Sequence, residues 1–304
     1  MPQQHTISPL ATNKPPWISL TLVFFLVTLG AFLGQLTASM LYALSTGDNI
    51  IEAIYTALPP KRLLLMLQAI TASSAFIVAP LLYLHIFTQQ GFRALFQWHQ
   101  SYVAPILVTL GLVLVFMVVN TWFIQWNMTI QLPAWLSVFE VWAQEKEATL
   151  QKITALLTSF DSLIELGVGI LVIGIIPAIG EELLFRGLVQ NICHKLTHNI
   201  HLAIGISAFI FSAIHLQFYG FLPRFLLGVL FGYIYWWTKD LLFPIVAHLF
   251  NNTCVLLMLF LHQQNIITQD ISSLQAPPGP VLIFFAAMVV ALANRLRQQG
   301  KHVG

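Results

Sequence analysis

Three short motifs carry ionisable or amide side chains within apolar stretches of this sequence. The first is EELLFR, Glu181–Arg186, which follows the uncharged run LGVGILVIGIIPAIG. The other two are FSAIH, Phe211–His215, and HLFNN, His248–Asn252. A charged group in an apolar environment is costly unless it is paired or hydrogen-bonded. These motifs are therefore the first candidates for chemistry.

Helix geometry separates the two adjacent glutamates. Glu182 and Arg186 are four residues apart, with the glutamate on the N-terminal side, which is the favourable order for an ion pair on one helix face. Glu181 is five residues from Arg186 and points about 100° away from Glu182. We therefore expect Glu182 and Arg186 to support the helix, and Glu181 to be the carboxylate that is left for catalysis.

The residues that could meet Glu181 are expected at a similar depth. The predicted helices 163–195 and 202–218 are joined by a turn centred near residue 198. Glu181 and His215 lie equally far from this residue along the sequence. His248 and Asn252 lie about 8 and 12 residues beyond the turn at Lys239–Asp240, or roughly 12 and 18 Å along a helix. Each of the histidines or the asparagine alone is also consistent with a side chain that only bonds to a neighbouring helix.

Two chemistries fit this set of side chains. In the first, Glu181 and His215 hold and deprotonate a water molecule, while His248 and Asn252 stabilise the oxyanion of a tetrahedral intermediate. In the second, Glu181, His215 and His248 bind a zinc ion that carries the water. The sequence has no HExxH motif, so zinc ligands would have to come from three helices. Both chemistries predict hydrolysis of an acyl bond, with a peptide bond as the expected target.

The composition shows what kind of protein must position these groups. The 304-residue chain is 58% hydrophobic and 8% charged, whereas soluble domains carry about 25% charged residues. The mean hydropathy of +0.81 points the same way, so we predict a polytopic membrane protein. The net charge of +2 does not indicate a nucleic-acid partner. Cys193 and Cys254 form neither a disulfide framework nor a thiolate metal site.

The hydrophobic pattern predicts an all-α bundle of about eight transmembrane helices. Residues 1–160 would hold the N-terminal helices, 161–262 a catalytic helix core, and 263–304 a last helix and a basic tail. The segment 125–162 is expected either to be an amphipathic helix at the membrane surface or a solvated loop helix. The Lys and Arg residues of the short loops favour a cytoplasmic location for both termini. The predicted spans are approximately 17–44, 63–87, 103–124, 163–195, 202–218, 222–238, 241–262 and 280–294.

The order and spacing of the three motifs over residues 165–260 resemble the CPBP family of intramembrane proteases. This family is also known as the CAAX-protease and bacteriocin-processing, or Abi, family, and it includes Rce1-type prenyl-protein endopeptidases. The resemblance implies that Glu181 is the catalytic base, that His215, His248 and Asn252 complete the site, and that Glu182 and Arg186 complete the first motif.

The resemblance also sets expectations for the cofactor, the substrate and the location. It implies a glutamate-activated water with no required metal, although the residues leave zinc open. It implies a protein or peptide substrate. Prenylated substrates belong to the eukaryotic branch of the family, so the resemblance does not fix whether the substrate carries a lipid. The compact chain with short loops indicates a bacterial inner membrane.

Two other functions fit intramembrane glutamate and histidine residues. A transporter or proton relay also uses such groups, but the paired broken helices of an inverted repeat are missing from the sequence. A non-catalytic membrane scaffold that binds a partner would differ from a protease only in an activity assay.

Overall fold

The computed structural model describes residues 14–47, 59–88, 91–96, 102–268 and 276–301. Within these ranges the chain is helical and has no strand, which confirms the all-α prediction. The described residues form nine helices of more than two turns, namely α1 (Pro16–Thr46), α2 (Lys61–Phe87), α3 (Val103–Met128), α4 (Ser137–Leu157), α5 (Leu163–Thr197), α6 (Ile200–Ala213), α7 (Phe221–Thr238), α8 (Leu242–Gln263) and α9 (Gly279–Lys301).

A helix lies at each of the eight predicted spans. Six of them, α1, α2, α3, α5, α8 and α9, are long and apolar enough to cross a membrane. The helix α6 is apolar but has only 14 residues, or about 21 Å, which is less than the ~30 Å hydrocarbon core of a bilayer. The polytopic architecture is confirmed, with six spanning candidates among the described residues. The prediction for the termini falls partly on residues 1–13 and 302–304, outside the described ranges.

Local sequence signals explain where the site-bearing helices begin and end. Ser162 caps α5, because its hydroxyl accepts a hydrogen bond from the backbone N–H of Glu165 at 3.3 Å. Asn199 caps α6 by accepting from the backbone N–H groups of His201 and Leu202. The helix α7 ends at Thr238, because the next residue, Lys239, has a left-handed φ of 58° and cannot continue the helix.

The helix α5 is a single 35-residue rod with two π-helical turns. These turns span Ile170–Ile175 and Leu183–Val189, and they flank an α-helical piece that contains Pro177, Glu181 and Glu182. Proline lacks the N–H that would bond the carbonyl four residues earlier. π-helical turns realign the side chains of a helix and are frequent at functional sites. The EELLFR motif therefore starts in regular helix and ends in a wider turn.

The N-terminal helices share one apolar core with the helices that carry the motifs. Buried residues of this core come from five helices, for example Val23 of α1, Tyr83 of α2, Leu184 of α5, Phe211 of α6 and Tyr235 of α7. The helices α1 and α2 therefore pack directly on α5 and hold it in place. This packing fixes the middle of α5, where the first motif lies.

The helix α4 lies within the predicted surface segment 125–162 and contacts the turn between α6 and α7. The Phe139 ring meets the Phe218 ring edge-on at a centroid distance of 5.7 Å. The Gln144 amide donates a 3.4 Å hydrogen bond to the Tyr219 hydroxyl. Most of α4 is exposed, including the large side chains of Val138 and Trp142. The helix is present, and its position at a membrane surface stays a prediction.

Candidate active site

A fully buried ion pair joins the two ends of the EELLFR motif. Nη1 of Arg186 donates to Oε1 of Glu182 at 2.8 Å, and the side chains are 1% and 0% exposed. The pair is therefore present as the four-residue spacing predicted. A buried pair needs further hydrogen bonds to offset its desolvation. Arg186 makes one such bond, because Nη2 donates to the Gly228 carbonyl of α7 at 2.8 Å.

Two aromatic rings enclose the Arg186 guanidinium. Its central carbon lies 5.0 Å from the Phe211 ring centroid and 5.5 Å from that of Phe231. Cation–π contacts of this kind strengthen when water is excluded. The charge of Arg186 is thus held by one carboxylate, one carbonyl and two rings, so α5, α6 and α7 are joined around a single side chain.

The His248 imidazole bridges the two adjacent glutamates. Its Nδ1 lies 2.8 Å from Oε1 of Glu182, and its Nε2 lies 3.8 Å from Oε2 of Glu181. Because a carboxylate accepts hydrogen bonds, the short contact assigns the Nδ1 proton to the bond with Glu182. His248 also stacks on Phe231 at 5.2 Å. Its Nε2 is therefore aimed at the side of the site where Glu181 lies.

His215 reaches the same site from the end of α6. Its Nδ1 lies 2.8 Å from the carbonyl oxygen of Phe211. A carbonyl can only accept, so Nδ1 donates and Nε2 is the ring nitrogen left for another partner. The Phe211 ring contacts both imidazoles, at 5.3 Å from His215 and 6.2 Å from His248. The two histidines therefore lie around one ring, beside Arg186.

The Asn252 side chain forms a hydrogen bond with the backbone of α5. Its Nδ2 donates to the Ile173 carbonyl at 3.1 Å, and its Oδ1 accepts from Asn251 at 3.2 Å. Ile173 lies four residues before Pro177, so proline supplies no N–H to this carbonyl. The asparagine amide satisfies it instead. One of the two Nδ2 protons is used in this way, and the other is available to a ligand.

Arg224, which the sequence did not single out, lies in the first turn of α7, nine residues after His215. Its Nη2 donates to Oε1 of Gln217 at 2.6 Å. The α6–α7 turn that brings Gln217 and Arg224 together could not be read from the sequence.

The zinc alternative requires Glu181, His215 and His248 to meet around one ion. In the part of the chain that the structure describes, no three His, Cys, Asp or Glu side chains come together as a metal-ligand set. The Nδ1 atoms of His215 and His248 are engaged with Phe211 and Glu182, which leaves the Nε2 atom of each ring as the possible ligand. The expectation that no metal is required stays a prediction.

Comparisons with known proteins find similarity in the region that holds these motifs. Residues 164–254 match the family model described as "Type II CAAX prenyl endopeptidase Rce1-like". The chain is also 32% identical over 114 residues to a curated protein of Bacillus subtilis (strain 168), described as "Putative membrane peptidase YdiL". That match covers 38% of this chain and 46% of the relative, so it spans less than half the length of the relative. No solved structure matches the chain.

Proposed function

We propose that this chain, whose residues 164–254 match the Rce1-like family model, is a CPBP-type intramembrane endopeptidase that hydrolyses a peptide bond near the membrane surface. Glu181 is the general base, and His215 helps to hold the water. His248 and Asn252 stabilise the oxyanion, while Glu182 and Arg186 keep the site in shape.

The observation that carries this proposal is the environment of the Glu181 carboxylate. The residue is 8% exposed, and its closest ion-pair partner, Nε2 of His248, is 3.8 Å away, which is too far for a direct hydrogen bond. Among the described residues, nothing donates a hydrogen bond to this carboxylate. Glu182, by contrast, is bonded to both Arg186 and His248. Glu181 is therefore the acceptor that is available to a water molecule.

The reaction follows from this difference between the two glutamates. Glu181 takes a proton from the water as the water oxygen attacks the peptide carbonyl carbon. The carbonyl oxygen becomes an oxyanion, and the C–N bond then breaks as the proton passes from Glu181 to the leaving amine. Nε2 of His215 accepts the second hydrogen of the water and orients it. The products are one carboxylate and one amine.

The oxyanion needs donors that are fixed before the reaction begins. When His248 carries both ring protons, its Nε2–H donates to the oxyanion while its Nδ1–H keeps the bond to Glu182. Asn252 offers the Nδ2 proton that Ile173 does not use. Both side chains are held by a second contact, so little reorganisation accompanies the step.

The expected substrate is a protein or peptide, lipidated or not, that reaches the site from the bilayer. The expected setting is a bacterial plasma membrane, with both termini in the cytoplasm. The expected mechanism is metal-free. These points rest on the family match of residues 164–254 and on the sequence pattern.

The proposal is tested with purified protein in lipid nanodiscs and internally quenched lipidated peptides. We expect cleavage that continues in EDTA, because no metal-ligand set is formed by the described residues. Loss of cleavage in EDTA with recovery on zinc addition would establish the metal-dependent alternative. Failure of the wild-type protein to cleave a broad panel of such peptides would contradict the peptidase assignment.

A further inference from the structure

The end of the bundle that holds the turn between α7 and α8 carries basic side chains that the proposed reaction does not use. The helix α5 ends here, because the His194 ring meets the Trp236 ring edge-on at a centroid distance of 5.6 Å. The helix α9 ends here too, because a Cβ atom added to Gly300 would clash with the Trp237 carbonyl oxygen. The name basic rim is used below for four side chains at this end, His194, Lys239, Arg295 and Arg297.

The Trp236 ring brings the two central members of the basic rim together. The Nζ atom of Lys239 lies 3.0 Å from the centroid of this ring, at a distance typical of a close cation–π contact. The His194 ring meets the same indole. His194 lies in the last turn of α5, and Lys239 directly follows α7. An ammonium and an imidazole from two helices therefore lie around one aromatic side chain.

The Lys239 ammonium has N–H donors that no described residue uses. An ammonium has three donors, and the Trp236 ring engages the cation from one side. Among the described residues, none forms an ion pair with Nζ of Lys239. The side chain is partly buried, and a desolvated charge is costly without an opposite charge beside it. An anion supplied by a ligand would complete this environment.

The acidic residue next to Lys239 serves another purpose. The Asp240 side chain is buried, its Oδ1 accepts from the backbone N–H of Leu242 at 2.9 Å, and it thereby caps α8. The Tyr102 hydroxyl donates to its Oδ2 at 3.4 Å. The other acidic residues that the structure describes lie in α4, near the start of α5 or in the candidate active site. The exposed charges of the basic rim are therefore all of one sign.

Two arginines of α9 extend the basic rim along the membrane boundary. Arg295 and Arg297 are exposed and flank Leu296, which is fully buried in one core cluster with Ile234 of α7. The helices α5 and α9 are both candidate spans, so the rim lies where they leave the membrane. The helix α7 ends nearby in the run YIYWW, and Trp and Tyr side chains are enriched at this depth.

We infer that the basic rim binds the phosphate group of an anionic phospholipid, with the Lys239 ammonium and the His194 imidazole as the direct donors. Basic residues at the ends of spanning helices attract anionic headgroups. A lipid fits this place because apolar side chains beside the rim, those of Leu196 and Leu202, are exposed to acyl chains. A bound headgroup would join α5 to α7 through the side chains around Trp236. This inference does not depend on the proposed function.

The test is native mass spectrometry of the purified full-length protein, titrated with phosphatidylglycerol or with phosphatidylcholine of the same acyl chains. We expect the wild type to bind phosphatidylglycerol more tightly. Lys239→Met should weaken that binding about fivefold, the effect of removing one basic residue near an anionic headgroup, and should leave phosphatidylcholine binding unchanged. His194→Gln should weaken it in the same direction, whereas Lys239→Arg should retain it. The matched control is Lys152→Met, which removes an exposed lysine of α4.

Three outcomes would overturn the inference. The first is equal binding of the two lipids by the wild type. The second is equal weakening by Lys239→Met and Lys152→Met, which indicates attraction to the net charge and no defined site. The third is that inorganic phosphate, added to the protein in phosphatidylcholine nanodiscs, raises thermal stability as much as phosphatidylglycerol does, which would make the occupant a soluble anion. Thermal unfolding also shows whether each variant is folded. None of these measurements requires cleavage, so a failure here leaves the proposed function standing.

Discussion

Glu182 and His248 are joined by a 2.8 Å contact between Oε1 and Nδ1. The same oxygen accepts from Arg186, so one buried carboxylate oxygen ties α5 to α8 and neutralises the arginine. The sequence assigned Glu182 a supporting role through Arg186 alone. The structure adds that Glu182 also fixes the ring orientation of His248, and with it the direction of Nε2 towards Glu181.

Replacing Glu182 by glutamine keeps an oxygen acceptor but removes the charge. We expect the Glu182→Gln variant to lose about 3–5 kcal/mol of stability, because the Arg186 charge is left buried without its counter-ion. We also expect cleavage to fall at least tenfold, since His248 loses its charged partner. Thermal unfolding and peptide cleavage are measured on the same preparation. Unchanged thermal stability would contradict the ion-pair role.

Asn252 and Pro177 should be coupled through the Ile173 carbonyl. We expect Asn252→Ala to cost about 1–3 kcal/mol, because a partly buried acceptor in an apolar environment is left unsatisfied. In a Pro177→Ala background, the new N–H of residue 177 can bond the Ile173 carbonyl, and the cost of Asn252→Ala should fall. A double-mutant cycle on unfolding free energy gives the coupling. Additive effects of the two changes would show that Asn252 does not satisfy this carbonyl.

Gly228 allows α6 and α7 to approach each other behind Arg186. A Cβ atom at this position would lie 3.1 Å from Cβ of Ala208 and from Cδ1 of Phe211. We expect Gly228→Ala to cost about 1–3 kcal/mol through overpacking and to lower cleavage by displacing Phe211. The matched control is Gly205→Ala on α6, where a Cβ would meet nothing within 4 Å. Equal thermal stability of the two variants would contradict this packing.

Lys239 should make stability depend on pH. Burial lowers the pKa of this ammonium, which lies between α7 and α8, to about 7 from its ordinary 10.5. Below pH 7 the Lys239 ammonium stays charged in the folded protein, so folding carries the full desolvation cost of this buried charge. Between pH 7 and 10.5 the unfolded chain binds more protons, so stability rises with pH. The Trp236 ring, with its centroid 3.0 Å from Nζ, offsets part of that cost.

The measurement is thermal unfolding of the wild type and of Lys239→Met at pH 6 and pH 9. The variant should be more stable than the wild type at pH 6, and this difference in thermal stability should be smaller at pH 9. His194 also feels the Lys239 charge, so a His194→Gln variant serves as a control for its titration. A gap between wild type and Lys239→Met that is the same at both pH values would contradict the buried-ammonium account.

Local spacing was enough to predict those parts of the site that lie on one helix. The Glu182–Arg186 pair follows from four residues of separation, and the all-α fold follows from long apolar runs. Contacts between helices were less accessible. The Asn252 bond depends on a carbonyl that Pro177 leaves free on another helix, and the Arg224–Gln217 hydrogen bond depends on how the turn at 214–220 folds back. The short α6 looked like a full span because apolar loop residues follow it.

The role of Glu181 as the catalytic base is tested most directly by comparing Glu181→Gln with Glu165→Gln. Glu165 lies on the same helix, half-exposed and paired with Lys61 at 2.7 Å, so its variant controls for the loss of a glutamate charge from α5. The measurement is the single-turnover rate of peptide cleavage in nanodiscs, at matched thermal stability. We expect Glu181→Gln to lose at least 10²-fold, within the range for a positioned general base, and Glu165→Gln to stay near the wild-type rate. A well-folded Glu181→Gln protein that cleaves at the wild-type rate would contradict the account.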